Sequence, residues 1–198
     1  MTPLDLESLP TPLTRVVAAL QGYAGGWAVA GGWAIDLALD SVRREHADVD
    51  IAVWREDQWR LREHLSDWTW EYADDGTLTP WEHDVWLVLP LHELYATDPE
   101  GRKLELLLNE RDGTDWVFRR DPRVRLPLAQ AIVSSPSGLP VLAPEIVLLY
   151  KSKEPRLHDE ADFAAALPRL GPSAREWLAA SLECCSRGHP WQVALASA

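Results

Sequence analysis

The stretch that most restricts the fold is residues 30–53, AGGWAIDLALDSVRREHADVDIAV. A glycine pair between a strand and a helix lets a ligand approach the backbone N–H groups at the positive helix end, where phosphates bind. Residues two apart on a strand point the same way, so Asp48 and Asp50 should project together while Val49 faces the opposite layer. Two convergent carboxylates form a hard, all-oxygen site suited to magnesium. The bland alternatives are a turn that needs Gly31 and Gly32 only for their dihedral angles, and acids on a solvated strand end. Segment order decides between them, because the strand bearing the acids directly follows the glycine-opened helix and both ends can face one cleft. Arg43 and Arg44 precede the acids, and such cations hold neighbouring carboxylates ionised and can touch a phosphate tail, a role that falls to Arg44. For His46, a site role and a loop-fixing hydrogen bond both stay open.

Around this stretch the chain reads as alternating elements. Thr14 to Tyr23 has the apolar spacing of a helix, Trp27 to Ala30 is a short buried strand, and Gly32 to Leu39 is helical again. Val49 to Trp54 reads as a second strand and Arg55 to Leu65 as a charged amphipathic helix. WTWEYA, DVWLVLPL and KLELLLNE read as strands, with turn signals at Asp75-Gly76 and from Asp98 to Gly101. Asp112 to Pro144 is broken by arginines and prolines and is expected to be irregular, with one or two short strands. From Pro144 the pattern turns helical through PEIVLLYKSK, HDEADFAAAL and PSAREWLAASLECC, interrupted by Gly171-Pro172 and Gly188-His189-Pro190. An α+β fold follows: residues 1–142 as the core and 143–198 as a helical lobe.

Composition narrows the partners. The chain of 198 residues is 46% hydrophobic and can bury a proper core. Its formal charge of −12 argues against nucleic acid and anionic lipid; it either serves only solubility or suits a cationic small-molecule partner. Cys184 and Cys185 are adjacent, which staples no distant segments and is not a zinc spacing, so a reducing cytoplasm is expected. MTPLDLESLPTP has no basic, apolar leader pattern, and no apolar run is long enough to span a membrane. Most of the eleven tryptophans should be core anchors, with a few forming an aromatic wall for a flat ligand.

GGWAIDLAL followed by RREHADVDIAV resembles the nucleotidyltransferase superfamily, and most closely its aminoglycoside and lincosamide antibiotic branch. The resemblance is strong over residues 25–54 and looser over 102–167. It implies a nucleotidyltransferase-type mixed sheet flanked by helices, a glycine pair that opens the triphosphate-cradling helix, and two acids on the next strand that hold metals. It also asks for a third carboxylate on a neighbouring strand. Glu105 fits by parity, since Leu104 and Leu106 would point into the core. Many relatives carry aspartate there, so Glu105 reaches one methylene farther and its role as base or ligand stays open. Trp33 stands where the wider superfamily often has serine; Gly-Gly-Trp resembles the antibiotic branch, with the indole packed beneath the loop. PEIVLLYKSKEPRLHDEADF resembles the element that returns a lysine to the cleft, which assigns Lys151 to the triphosphate. Asp159 and Asp162 serve either as further site acids or as a helix cap and a partner for Arg156.

The implied reaction is metal-dependent transfer of a nucleoside monophosphate, AMP from ATP, to a hydroxyl of a small, cationic molecule such as an aminoglycoside or lincosamide. Two magnesium ions align and neutralise the triphosphate, the hydroxyl attacks the α-phosphorus in line, and pyrophosphate leaves. The competing readings are a nucleotide-binding protein without turnover, in which the altered third acid fails to complete the site, and a toxin-like enzyme acting on RNA or protein, which would need a basic track. A homodimer is open, with no interface marker in the sequence.

Overall fold

Leu104, Leu106 and Leu108 are buried and alternate with half-buried Glu105 and Leu107, the signature of a strand with one face on the core. That strand, β6 (Lys103–Asp112), runs through the middle of the sheet. The computed structural model describes residues 9–197. The leader reading above rests mostly on residues 1–8, which lie outside the described residues.

Helix α1 (Thr11–Ala19) opens behind Pro10 and buries Leu13 and Val16. Strand β1 (Trp27–Val29) leads into α2 (Gly31–Ala38), and β2 (Asp50–Trp54) follows. A 3-10 turn over Arg55–Asp57 continues into α3 (Gln58–His64). Next come β3 (Thr69–Asp74), β4 (Thr77–Pro80) and β5 (Glu93–Thr97). After β6 the chain forms β7 (Asp115–Val117), β8 (Arg125–Pro127), the single turn α4 (Leu128–Ala131), β9 (Ile132–Ser134) and β10 (Pro140–Leu142). Helices α5 (Pro144–Lys151), α6 (Leu157–Ala166), α7 (Pro172–Cys185) and α8 (Trp191–Ser197) complete it.

The sheet order is β4-β3-β5-β6-β2-β1-β10-β9, with β7 and β8 added at the far end of β6. It is mixed: β2 runs parallel to β6 and β1 parallel to β10, and the other pairs are antiparallel. Helix α2 packs on β2, β10 and α5, and α5 in turn packs on α6 and α7. None of the described helices is long and apolar enough to cross a membrane.

Two sequence expectations fail. DVWLVLPL is not a strand. Leu87 anchors a loop whose Val85, Trp86, Val88 and Leu89 are exposed: Leu87 is buried, its N–H donates to Gln58 Oε1 at 2.8 Å, and its carbonyl accepts from Gln58 Nε2 at 3.2 Å and Arg55 Nη1 at 3.3 Å. Side chains supply what a neighbouring strand would have supplied. Asp112 to Pro144 is more ordered than its composition implies, with four short strands whose backbones pair with β6, with β1 and with one another.

Candidate active site

The Ala30 N–H donates to the Asp50 carbonyl at 2.7 Å, so the start of α2 is bonded to the start of β2. Gly31 takes φ +55, and a Cβ built on it would collide with the Asp50 carboxylate; only glycine fits there. A Cβ on Gly32 would collide with the Arg44 guanidinium and the His46 ring. The first turn of α2 has no side-chain cap, which leaves its leading amides available.

The register places Glu105 directly opposite Asp50 on the parallel β2–β6 ladder and opposite Tyr95 on β5. Glu93, two residues before Tyr95, lies on the same face. Asp50, Glu93 and Glu105 all line a cleft of about 330 Å³, floored by the sheet and walled by Tyr150, Arg119 and the end of α5. Burial, with help from Asp48, pushes the Asp50 carboxyl up to about 6. Burial and the neighbouring Asp50 and Asp48 push Glu105 up to about 7. Partial burial and the neighbouring Glu105, Glu93 and Asp50 push the half-buried Tyr95 up to about 12.

Asp48 departs from the expected geometry. The strand starts at Asp50, so Asp48 lies in the preceding coil, is exposed, and lines a neighbouring hollow with Lys103 and Arg15. Val49 faces the core as expected. Asp48 still acts electrostatically on Asp50 and Glu105, but the three carboxylates do not close on one point. Among the described residues, the one trio of ligand atoms within 4.8 Å of one another is Asp121, Cys184 and Cys185, outside the cleft.

The basic residues are bound into a network. Arg43 Nη2 lies 2.6 Å from Asp36 and 2.7 Å from Asp162, and Arg44 Nη2 lies 3.4 Å from Asp162. Lys151 Nζ lies 2.5 Å from Asp159 and 3.1 Å from Asp162. His46 Nε2 lies 2.7 Å from Asp36, and its ring sits 4.4 Å from that of Trp33. Trp33 is buried under the loop. Asp159 closes a capping box with Arg156 at the start of α6. Arg44 and Lys151 therefore already hold carboxylates, although Lys151 lines the cleft.

Sequence reading passed over Glu93, Arg119, Arg120 and Tyr150, which also line the cleft. The alternation in ELYAT was the available signal for Glu93. The adjacent Arg119 and Arg120 were visible only as interruptions of apolar runs. No tryptophan lines this cleft; the aromatic wall is Tyr150.

The residues present fit divalent cations. Among the described residues, neither Asp50 nor Glu105 has a cationic nitrogen within 4.0 Å, so two desolvated carboxylates face the cleft without an ion pair, and Lys151 and Arg156 act on Asp50 only from farther off. Such an oxygen donor set is suited to a hard divalent ion.

The family described as aminoglycoside-2''-adenylyltransferase matches residues 12–165. No curated protein matches the chain. Among solved structures, the antibiotic-resistance factor ANT(2'')-Ia in solution is 16% identical, covers 88% of this chain and 90% of its own, and has a TM-score of 0.58. The lincosamide adenylyltransferase LnuA with lincomycin bound is 15% identical over 79% of this chain and 95% of its own, at 0.55. ANT(2'')-Ia in complex with adenylyl-2''-tobramycin is 16% identical over 87% and 95%, at 0.57. At these identities the structures share the fold.

Proposed function

The chain belongs to the aminoglycoside-2''-adenylyltransferase family and is a nucleotidyltransferase; from that premise we propose that it moves AMP from ATP to a hydroxyl of a cationic small molecule of the aminoglycoside or lincosamide kind. The observation that carries the reading is the register pair Asp50–Glu105 beside the uncapped Gly31-Gly32 turn. In this reading residues 1–142 carry the chemistry and 143–198 close the cleft.

Asp48, Asp50 and Glu105 would hold two magnesium ions. When bound, these ions supply charge neutralisation for the triphosphate and acidify the attacking hydroxyl. The amides of Gly31, Gly32 and Trp33 receive phosphate oxygens at the positive end of α2. Arg44, pressed against Gly32, adds charge beside them, and Lys151 does so from the end of α5. In this reading Glu105 either accepts the proton of the acceptor hydroxyl or serves only as a ligand of the first ion. The acidic floor of Asp50, Glu93 and Glu105 attracts ammonium groups of the acceptor.

A second reading, nucleotide binding without turnover, draws on one observation: Asp48 stands outside the strand and away from the other two acids. The test is incubation with ATP, magnesium and a panel of aminoglycosides and lincosamides, read by mass spectrometry. A gain of one nucleoside monophosphate on an acceptor supports transfer. Tight ATP binding with no modified acceptor selects the second reading.

A further inference from the structure

Lys151 and Arg156 on the cleft wall are each bonded to Asp159. Arg119 and Arg120 are different. They follow Phe118, which is buried and holds its turn through the Phe118 N–H to Val124 carbonyl bond of 3.0 Å. The Arg119 guanidinium lies 5.3 Å from the Tyr150 ring centre and that of Arg120 5.4 Å, so two cations flank one aromatic ring. Arg120 Nη1 also donates to the Tyr150 carbonyl at 3.1 Å. Among the described residues, neither guanidinium has a carboxylate oxygen within 4.0 Å.

Two like charges held side by side, one of them half-buried, destabilise each other until an anion joins them. Burial holds Arg119 below the usual arginine range, and Arg120 pushes the same way. Glu93 is near enough to act on Arg119 electrostatically without pairing with it. Tyr150 holds both guanidinium groups beside its ring, and a guanidinium fork matches the geometry of phosphate oxygens.

We propose that Arg119 and Arg120, braced on Tyr150, form the clamp for the polyphosphate end of the nucleotide, a role beyond those assigned to Arg44 and Lys151. The assignment rests on the reading of the cleft as a nucleoside triphosphate site. The donor's outer phosphates, and then the departing pyrophosphate, sit across the two guanidinium groups, opposite the carboxylate floor.

The test is calorimetric titration of the full chain with ATP–magnesium, with inorganic pyrophosphate and with tobramycin, for wild type, Arg119→Gln, Arg119→Lys and Arg120→Gln. A charge-assisted contact predicts that Arg119→Gln weakens ATP and pyrophosphate about 10- to 100-fold. Arg119→Lys, with charge but no fork, falls between, and tobramycin binding does not weaken. Melting temperatures at or above wild type show that the variants fold, because removing one cation relieves the repulsion. Wild-type affinity for ATP and pyrophosphate in both glutamine variants overturns the clamp, as does a selective loss of tobramycin binding. The outcomes separate from those for the activity: product formed with unchanged ATP affinity in the variants removes the clamp alone, whereas arginine-dependent pyrophosphate binding with no product from any acceptor removes the activity alone.

Discussion

Asp50 and Glu105 are register partners on parallel strands, two carboxylates side by side on the floor of one cleft with no cation within ion-pair reach. Their raised pKa values mean that the folded chain, without metal, holds protons that the unfolded chain releases. Stability therefore falls as pH rises from the ordinary carboxylate range through about 6 and 7. Asp50→Asn removes one of the two charges and should raise the metal-free stability at about pH 8 by roughly 1–2 kcal/mol, after discounting for solvent screening. Thermal melting should show an increase of a few degrees together with lost transfer activity. A lower melting temperature for the variant would mean that the charges do not oppose each other.

Divalent ions should reverse that penalty. Magnesium binds the ionised carboxylates, so its stabilising effect should be large at about pH 8 and small at about pH 5, where Asp50 and Glu105 hold protons. The check is the magnesium-induced rise in melting temperature across that range. An equal rise at both ends would place the binding elsewhere.

Gly31 tests how closely the helix turn and the acid are coupled. Its positive φ and its contact with the Asp50 carboxylate leave no room for a side chain. Gly31→Ala should cost about 1–3 kcal/mol in stability and displace Asp50, lowering kcat/KM at least about 10-fold. Steady-state kinetics with a working acceptor, alongside melting, measure both effects. Activity unchanged in the alanine variant would separate this turn from the chemistry.

The outline of this site could be read from residue order because its parts lie close together in sequence. The strand–glycine–helix order and the parity of Leu104, Glu105 and Leu106 are local features, and local periodicity is what a single sequence expresses best. Long-range pairing is not expressed there. That Asp162 on α6 would occupy Arg43 and Arg44, and Asp159 would occupy Lys151, depends on how α6 returns to the start of α2. Trp59, Trp81 and Gln58 hold the DVWLVLPL segment as a loop, and its apolar content gave no sign that side chains would replace a strand partner. The expected strand started one residue early, at Val49, and Asp48 was counted with it although β2 begins at Asp50, since a one-sequence reading locates a strand end less well than its centre.

Asp162 is fully buried among Arg43, Arg44 and Lys151. Burial alone would raise its carboxyl, yet the three cations hold it below the ordinary range, so its contribution is present at neutral pH and lost in acid. Asp162→Ala removes the carboxylate these cations share, leaving Arg43 on Asp36 and Lys151 on Asp159, and should cost about 1.5–3 kcal/mol. Urea denaturation at neutral pH measures it. A loss under about 1 kcal/mol would show that the network is a surface ion cluster without structural weight.

The most direct measurement is pyrophosphate release from ATP, magnesium and a responsive acceptor, compared across wild type, Asp50→Asn, Glu105→Gln and Glu105→Asp. Pyrophosphate in step with modified acceptor for wild type, a fall of at least about 100-fold for the first two variants, and partial activity for Glu105→Asp are expected. Full turnover by Glu105→Gln would contradict the central claim that the carboxylates facing each other across β2 and β6 carry the reaction.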